Sequence, residues 1–253
     1  AVRWIRRGLA LVDGRPGTEA SQARARLSGW YAAVRQAQGA NDEAVRWCEE
    51  AVAEARRSGD EEAEAHALFI LDWARVSQGR PDLAVHSARA LDIYRRRQDL
   101  GKVAAVLRNL GGFAYYRGEW DEALDLYRQS RDACLATGNE VDAAMATMNS
   151  AEILLDQGRM EEAREAIGAA RRVVRAAGYP MGIGFTAMLL GRLEARTGDG
   201  TGGLAHLDEA RRTFTAAGLE ADLDQVDVAT VEALLLAGRS TEALAAAEEI
   251  PVH

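Results

Sequence analysis

The glycine-rich stretches of this sequence are the first places to look for nucleotide chemistry. The segment from Gly182 to Ala187, GIGFTA, has the GxGxxA spacing of a dinucleotide-binding turn. That turn needs a preceding strand to aim a helix N-terminus at a pyrophosphate, and no strand pattern precedes it. Gly101-Lys102 matches the end of a phosphate-binding loop, but Val103 stands where the loop needs Ser or Thr. We therefore predict no nucleotide site in either place.

Metal and nucleophile chemistry is not supported by the spacing of the histidines and cysteines. Cys48 and Cys134 form no CxxC motif, and acidic pairs such as Glu161-Glu162 are typical of solvated helix faces. We expect no metal, no cofactor and no catalytic activity in this segment, so any enzymatic domain would lie in flanking sequence. No histidine has a second histidine four residues away or a cysteine nearby; the four are His66, His86, His206 and His253.

Charge and composition narrow the classes of partner. Lys and Arg total 31 against 39 Asp and Glu, and this net charge of -8 opposes binding to nucleic acid or to an anionic membrane. A hydrophobic content of 48% indicates a folded chain. The longest apolar runs, such as residues 234–237, are too short to span a bilayer, and the first twenty residues lack an apolar signal core. We expect a cytoplasmic protein with no nucleic-acid or membrane partner.

A repeat of about 40 residues organises the whole sequence. Six glycines recur at spacings of 40, 39, 40, 40 and 40, and a small residue follows each of them five positions later. Glycine just past a helix end adopts the left-handed conformation, and a small residue one turn into the next helix lets two helices approach. These period glycines are Gly39, Gly79, Gly118, Gly158, Gly198 and Gly238, and the small residues are Ala44, Ala84, Ala123, Ala163, Gly203 and Ala243.

Each repeat is predicted to be a pair of helices. A second break falls about twenty residues after most period glycines, at Gly59, Gly138, Gly178 and Gly218, so each unit holds two helices of about 17 residues, each about 25 Å long. Acids or hydroxyls after the period glycines, such as Asp121-Glu122, are expected to cap the second helices. No alternating β-branched runs typical of strands are found. The sequence therefore predicts an all-α fold.

The third repeat carries a family resemblance. The segment from Ala104 to Ser130 resembles a tetratricopeptide repeat, and weaker copies cover nearly the whole chain, although the usual unit of that family is shorter. The longer unit resembles the C-terminal regulatory region of actinobacterial class III adenylate/guanylate cyclases and of STAND/AAA-type ATPase signalling proteins. The residues that carry the resemblance are Leu107, Leu110-Gly111, Tyr115, Gly118, Trp120, Ala123, Leu124 and Tyr127.

The resemblance implies a right-handed α-solenoid, a superhelix of stacked antiparallel helix pairs. The opening Ala1-Val-Arg-Trp4 returns at Ala44–Trp47, so the chain is expected to begin inside a repeat, with residues 1–13 poorly ordered or held by a neighbouring molecule. Pro180 and the glycines of residues 178–204 predict a hinge there. The expected single array of residues 1–253 comprises a partial repeat (1–24, second helix and link) and repeats 25–64, 65–103, 104–143, 144–183, 184–223 and 224–253.

The resemblance also implies a binding face. In this family the first helices of the repeats build a concave wall, which the alignment here supplies with aromatic, methionine, arginine and acidic side chains suited to a peptide or protein segment. Packing inside the core is the alternative for each, and we assign Trp30, Trp47 and Trp120 to the core. The groove candidates are His66, Phe69, Trp73, Arg108, Tyr115, Tyr116, Met145, Met148, Glu152, Asp156, Phe185, Arg192 and Arg196.

Three functions remain open from the sequence. The first is a non-catalytic interaction module that binds a protein, a peptide or another domain of its parent chain and so regulates a larger bacterial signalling protein. The second is a receptor for a peptide or small ligand, of the pheromone-sensing type. The third is a homodimerisation module that associates through exposed end repeats.

Overall fold

The structure, a computed structural model, describes residues 2–250. These residues form thirteen α-helices, two short 3-10 turns and no strand, which confirms the predicted all-α class. The chain divides into one compact unit up to Arg117 and a second from Gly118. The helices are α1 (Val2–Val12), α2 (Thr18–Ala37), α3 (Asn41–Ser58), α4 (Glu61–Ser77), α5 (Ser87–Arg96) and α6 (Leu100–Tyr116) in the first unit, and α7 (Trp120–Ala136), α8 (Glu140–Asp156), α9 (Met160–Ala176), α10 (Pro180–Arg196), α11 (Gly200–Ala217), α12 (Leu223–Leu236) and α13 (Ser240–Glu248) in the second.

The period glycines end helices as predicted. All six have φ between 71° and 98°, a range that L side chains rarely adopt. At Gly39, the Ala40 N–H donates to the Arg35 carbonyl at 2.9 Å, which closes the last turn of α2. Gln98 takes the same conformation at φ 57° between α5 and α6 and is the one non-glycine to do so among residues 2–250. The helices between these turns are mostly 17 residues long, as expected.

Side-chain caps are found mainly on the first helices of the repeats. Asp60, Asp99 and Asn139 each accept a hydrogen bond from the backbone N–H three residues later, at 3.0 to 3.1 Å. The expected caps on the second helices are wrong for α3, α7, α9 and α13, which begin without a side-chain cap. Acids such as Asp121 lie in the first turn instead, where they complement the positive end of the helix dipole.

The second repeat departs from the predicted pattern at Ala84. Pro81–Leu83 form a 3-10 turn and Ala84 follows it in a non-helical conformation, so Ala84 is not the small residue of a second helix. Helix α5 begins only at Ser87 because the buried Asp72 carboxylate of α4 accepts the backbone N–H groups of His86 and Ser87 at 2.7 and 2.6 Å. An acceptor from the neighbouring helix therefore fixes where α5 starts.

Substitutions of Asp72 test whether its carboxylate fixes the start of α5; we call this pair of hydrogen bonds the Asp72 anchor. We expect Asp72→Ala to lower the free energy of unfolding by about 2 kcal/mol, because two buried N–H groups lose their acceptor. Asp72→Asn keeps an acceptor oxygen and should cost less than half as much. Burial raises the pKa of Asp72, while hydrogen bonds from Ser87 and His86 oppose that rise, so losing the charge alone is inexpensive. Urea denaturation of the three proteins measures the difference, and equal losses in both variants would contradict the anchor.

The glycines within residues 178–204 bring α10 and α11 close together. A β-carbon on Gly184 would overlap the Phe214 ring, and one on Gly191 would lie 2.6 Å from Leu207 Cγ and 2.9 Å from the Gly203 carbonyl oxygen. Both helices run without interruption through this segment. The glycines thus serve close helix packing inside the second unit, while the flexing predicted for residues 178–204 stays a prediction.

The first helix leaves apolar side chains in solvent. Helix α1 lies against α2, and Arg6 donates to the Tyr31 hydroxyl at 2.7 Å. Trp4 is nevertheless 71% exposed, and Leu11 is exposed as well. The predicted order of residues 1–13 remains a prediction, and Ala1 lies outside the described residues.

Candidate functional site

The period places equivalent residues of the first helices side by side in the second unit. Glu152 of α8, Arg192 of α10 and Glu232 of α12 follow one another at intervals of 40 residues. Arg192 Nη1 lies 3.1 Å from Glu152 Oε1, and its Nε lies 3.6 Å from Glu232 Oε2. One arginine therefore joins three consecutive first helices.

Two further charges, one turn later, complete this arrangement. Asp156 Oδ1 lies 2.9 Å from Arg192 Nη2 and 3.2 Å from Arg196 Nη1, and Arg196 Nε lies 2.6 Å from Glu232 Oε1. We call these five residues the charged cluster. The sequence identified four of its members as groove candidates and missed Glu232, although the residue lies one period after Arg192.

The charged cluster is partly shielded from water. The Arg192 side chain is 14% exposed and that of Glu152 is 31% exposed. Burial raises the pKa of Glu152; the positive charge of Arg192 opposes the rise and the negative charge of Asp156 adds to it. Burial also acts to lower the pKa of Arg196, but its hydrogen bond and charge interaction with Glu232 outweigh burial and raise it. Three acids against two arginines leave one excess negative charge.

A small cavity adjoins the charged cluster. It has a volume of about 220 Å³, with Glu152, Arg192 and Glu232 on its polar side and Met188, Gln225, Val228 and Ala229 completing the lining. Val228 is 58% exposed although it belongs to a first helix, whereas Met188 is buried. An apolar side chain bordered by fixed charges matches the apolar centre and polar rim that protein interfaces have.

Three other candidates of the second unit lie against its core. Met148 is only 2% exposed and packs with Leu155, Ile167 and Leu189, so its assignment to the binding face is corrected to the core. Its side chain packs with residues of α8, α9 and α10, because removing its apolar surface from water is favourable. Met145 and Phe185 are half-buried against the same core.

The first unit contains a second cavity, of about 260 Å³. The His66 ring packs against the Trp30 ring at an angle of 40°, with ring centres 4.7 Å apart, and Trp30 is 54% exposed, which corrects its assignment to the core. The Nε2 atom of His66 is buried and has no hydrogen-bond partner. This first-unit cavity is lined by Ala25, Arg26, Trp30, Glu62, Ala63, His66, Tyr94 and Lys102. Of these, the sequence had placed only His66 on the binding face.

Burial makes His66 sensitive to acid. Burial and, to a smaller extent, the positive charge of Lys102 together lower the pKa of His66 from 6.5 to about 4. The unfolded chain therefore binds a proton between pH 6.5 and 4 that the folded chain does not, so stability falls as the pH falls through this window. We expect the loss at pH 4.5, relative to pH 7.5, to be about 2 kcal/mol smaller in His66→Gln than in the wild type. Urea denaturation at both pH values measures it, and parallel losses would contradict the prediction.

The remaining candidates of the first unit lie on α4 and α6. Phe69 is half-buried against the small core formed by Ala32, Cys48, Ile70 and Leu71. Trp73 is half-buried and stacks on Phe113 with ring centres 6.2 Å apart. Arg108 and Tyr115 are half-buried and Tyr116 is exposed, with the two tyrosine rings 5.7 Å apart. Trp120, which opens α7 in the second unit, is at the exposed limit rather than in the core.

Two kinds of site are not found within residues 2–250. No group of three or more His, Cys, Asp or Glu side chains is arranged to hold a metal ion. None of the helices described is long and apolar enough to cross a membrane.

Comparison with known proteins identifies the fold and no family. No family model and no curated protein matches the sequence. A Rap protein complexed with Competence and Sporulation Factor is 17% identical with a TM-score of 0.74, covering 93% of this chain and 64% of its own. The apo form of the quorum sensor NprR from B. thuringiensis is 16% identical with a TM-score of 0.71, covering 98% of this chain and 69% of its own.

A third solved structure identifies the type of repeat. A putative kinesin light chain from Podosopora anserina, with nearly identical TPR-like repeats, is 17% identical with a TM-score of 0.60, covering 77% of this chain and 97% of its own. These likenesses place the chain in the class of TPR-like helical repeat folds, which confirms that part of the resemblance. The chain spans 64% of the length of the Rap protein.

Proposed function

We propose that this chain is a non-catalytic interaction module whose first helices bind a peptide or protein segment. The observation that carries the proposal is the surface of α8, α10 and α12, where the charged cluster borders a cavity with the exposed Val228 on its rim. Fixed, partnered charges around an apolar contact give specificity to a protein interface. The partner is a protein, a peptide or another domain of the parent chain.

The finer role that we propose is regulatory. The resemblance of the long repeats to the C-terminal regions of bacterial cyclases and STAND/AAA-type ATPases supports attachment to a signalling output in the parent protein. Because each repeat packs only on its neighbours, a segment bound across several first helices would change the packing between those adjacent repeats.

The test is a paired capture experiment in the host. The tagged full-length protein is compared with Val228→Asp, which places a charge on the proposed face, and with Leu135→Asp, a matched change at an exposed leucine of the second helix α7. We expect a partner, identified by mass spectrometry, to be retained by the wild type and Leu135→Asp and lost from Val228→Asp. Equal retention by all three proteins would contradict binding at this face.

A peptide or small-ligand receptor is the second candidate. It is favoured by the fold likeness to a Rap protein solved with Competence and Sporulation Factor and to the quorum sensor NprR. A receptor gains stability from its ligand, by about 2.7 kcal/mol at a hundredfold excess over Kd. A rise in Tm with a short peptide or small molecule would support this function, and a response to macromolecular partners alone would contradict it.

Homodimerisation is supported by a different observation. Trp4 and Leu11 of α1 and Leu235, Leu236 and Leu244 near the other end of the described chain are exposed apolar side chains. Light scattering at tens of micromolar protein measures the mass, and a monomer would contradict self-association.

A further inference from the structure

We propose that helix α1 of one copy of this chain docks into a groove formed by α7, α8 and α9 of a second copy. This inference rests on the homodimerisation candidate, because it names the two surfaces that would meet. The groove has a volume of about 330 Å³ and lies between the second helices α7 and α9, over the amino-terminal half of α8. It shares no lining residue with the cavity at the charged cluster.

The floor of the groove is apolar. Ala143 and Ala144 of α8 and Ala170 of α9 are buried there, and the Leu135 side chain of α7 is exposed along the edge. The Thr147 hydroxyl donates to the Ala143 carbonyl at 3.0 Å, so this hydroxyl needs no partner from another molecule. An exposed leucine beside buried alanines gains from contact with an apolar side chain, because both surfaces then leave water. The groove therefore favours an apolar occupant.

The equivalent positions one repeat later carry charged side chains. Leu135 and Ala169 correspond to Arg175 and Glu209 at the interval of 40 residues, and those two residues form an ion pair. Arg171 joins the same glutamate at 2.8 Å, so ion pairs tie α9 to α11. A leucine and an alanine line the groove between α7 and α9 instead. The apolar lining is thus a property of this repeat rather than of the fold.

Helix α1 has an exposed face that matches the groove. Trp4 and Leu11 are exposed, Arg7 lies between them, and spacings of three and four residues place all three on one side of the helix. We call these three residues the α1 stripe. The helix contains three arginines and no acidic residue, in a chain whose net charge is -8. The stripe therefore combines apolar surface with positive charge.

One pair of charges complements the apolar contact. The Glu140 carboxylate at the groove makes no ion pair with any residue of the described chain, whereas Arg131 of the same lining pairs with Asp132 at 2.8 Å. The Arg7 guanidinium likewise has no acidic partner among residues 2–250 and lies over the Trp4 ring, 5.9 Å from its centre. Docking of the α1 stripe in the groove would allow Arg7 to pair with Glu140, so burial and charge would favour the same partner.

Sedimentation equilibrium of variants tests the two surfaces separately. We expect the wild type to associate, and Trp4→Ser and Leu135→Asp each to weaken the association by about tenfold or more, because each removes one apolar surface. Leu244→Asp, at an exposed leucine of α13 outside both surfaces, should change nothing. Association that survives in Leu135→Asp would overturn this pairing and leave homodimerisation standing, whereas a monomeric wild type would overturn both.

A mixing experiment determines whether unlike surfaces meet. Trp4→Ser keeps an intact groove and Leu135→Asp keeps an intact α1 stripe, so their equimolar mixture should form heterodimers although neither protein associates alone. Arg7→Glu and Glu140→Arg should each associate more weakly at low salt and recover when mixed, since every mixed contact joins opposite charges. Mixtures that stay monomeric would overturn the proposal. Because Leu135→Asp should keep the partner in the capture experiment, that result stands or fails independently of this one.

Discussion

Replacing Gly191 by alanine is expected to lower the free energy of unfolding by about 3 kcal/mol. The added β-carbon would lie 2.6 Å from Leu207 Cγ and 2.9 Å from the Gly203 carbonyl oxygen, where α10 and α11 meet. A backbone oxygen cannot rotate away as a flexible side chain can, so the two helices must separate. The gain in helix propensity from alanine, roughly 0.5 to 1 kcal/mol, is too small to offset this.

Gly168 of α9 provides the matched control. A β-carbon at this position would approach only Arg172 Nη1, at 3.9 Å, and that atom lies at the end of a flexible side chain. Gly168→Ala should therefore stabilise the protein by roughly 0.5 to 1 kcal/mol. Urea denaturation gives both values, and hydrogen exchange of the α10 and α11 amides shows where the loss falls. Two results would contradict the prediction that close helix packing stabilises residues 178–204. They are an increase in the free energy of unfolding in both alanine variants, or faster hydrogen exchange of the α10 amides than of the α8 amides in the wild type.

Removing Arg192, the central arginine of the charged cluster, is expected to lower the free energy of unfolding nearly as much as Gly191→Ala does. We expect Arg192→Met to lower the free energy of unfolding by about 2 to 3 kcal/mol, because Glu152, Asp156 and Glu232 then share a single cation, Arg196. The value lies below that for a fully buried pair because the acids remain partly exposed. Equilibrium denaturation at pH 7 measures it.

The pH dependence of Arg192→Met identifies the cause of that loss. Without the arginine, the pKa values of the remaining carboxylates are raised in the folded state, so stability should return as the pH falls from 7 towards 5 and disappear again as it rises. Arg159→Met, which breaks an exposed pair with Glu162, should change stability far less and show no such recovery. A loss in Arg192→Met that does not depend on pH would indicate lost packing of the arginine stem instead.

The parts of the fold that follow from local chain chemistry were predictable. A glycine at positive φ follows each of the helices α1 to α12 except α5, so most of the period, the helix lengths and the turns follow from the sequence. Ala84 is a position at which prediction from the local sequence fails. Its position in the period predicts a helix, but the start of α5 is fixed by Asp72, which lies more than a dozen residues earlier in the chain. A long-range acceptor of this kind leaves no local pattern.

The residues of the candidate site were predictable where the repeat period alone determines which helix face they occupy. Positions 152, 156, 192 and 196 lie on one face of neighbouring first helices, and extending the same interval once more would have found Glu232. Met148 and Trp30 could not be assigned in this way. Both are large apolar side chains at helical spacing, and only the packing of neighbouring helices places Met148 in the core and leaves Trp30 at a cavity.

The irregular second repeat affects how the repeats of this chain align with one another during folding. In an array of equivalent units, a helix pair can dock one repeat out of step at little cost, since the same glycines and alanines recur. The buried Asp72 carboxylate accepts the two N–H groups at the start of α5, and no other second helix within residues 2–250 begins so late after its period glycine. A misaligned docking would bury that carboxylate without partners, so we expect the late start of α5 to act as a marker of correct alignment.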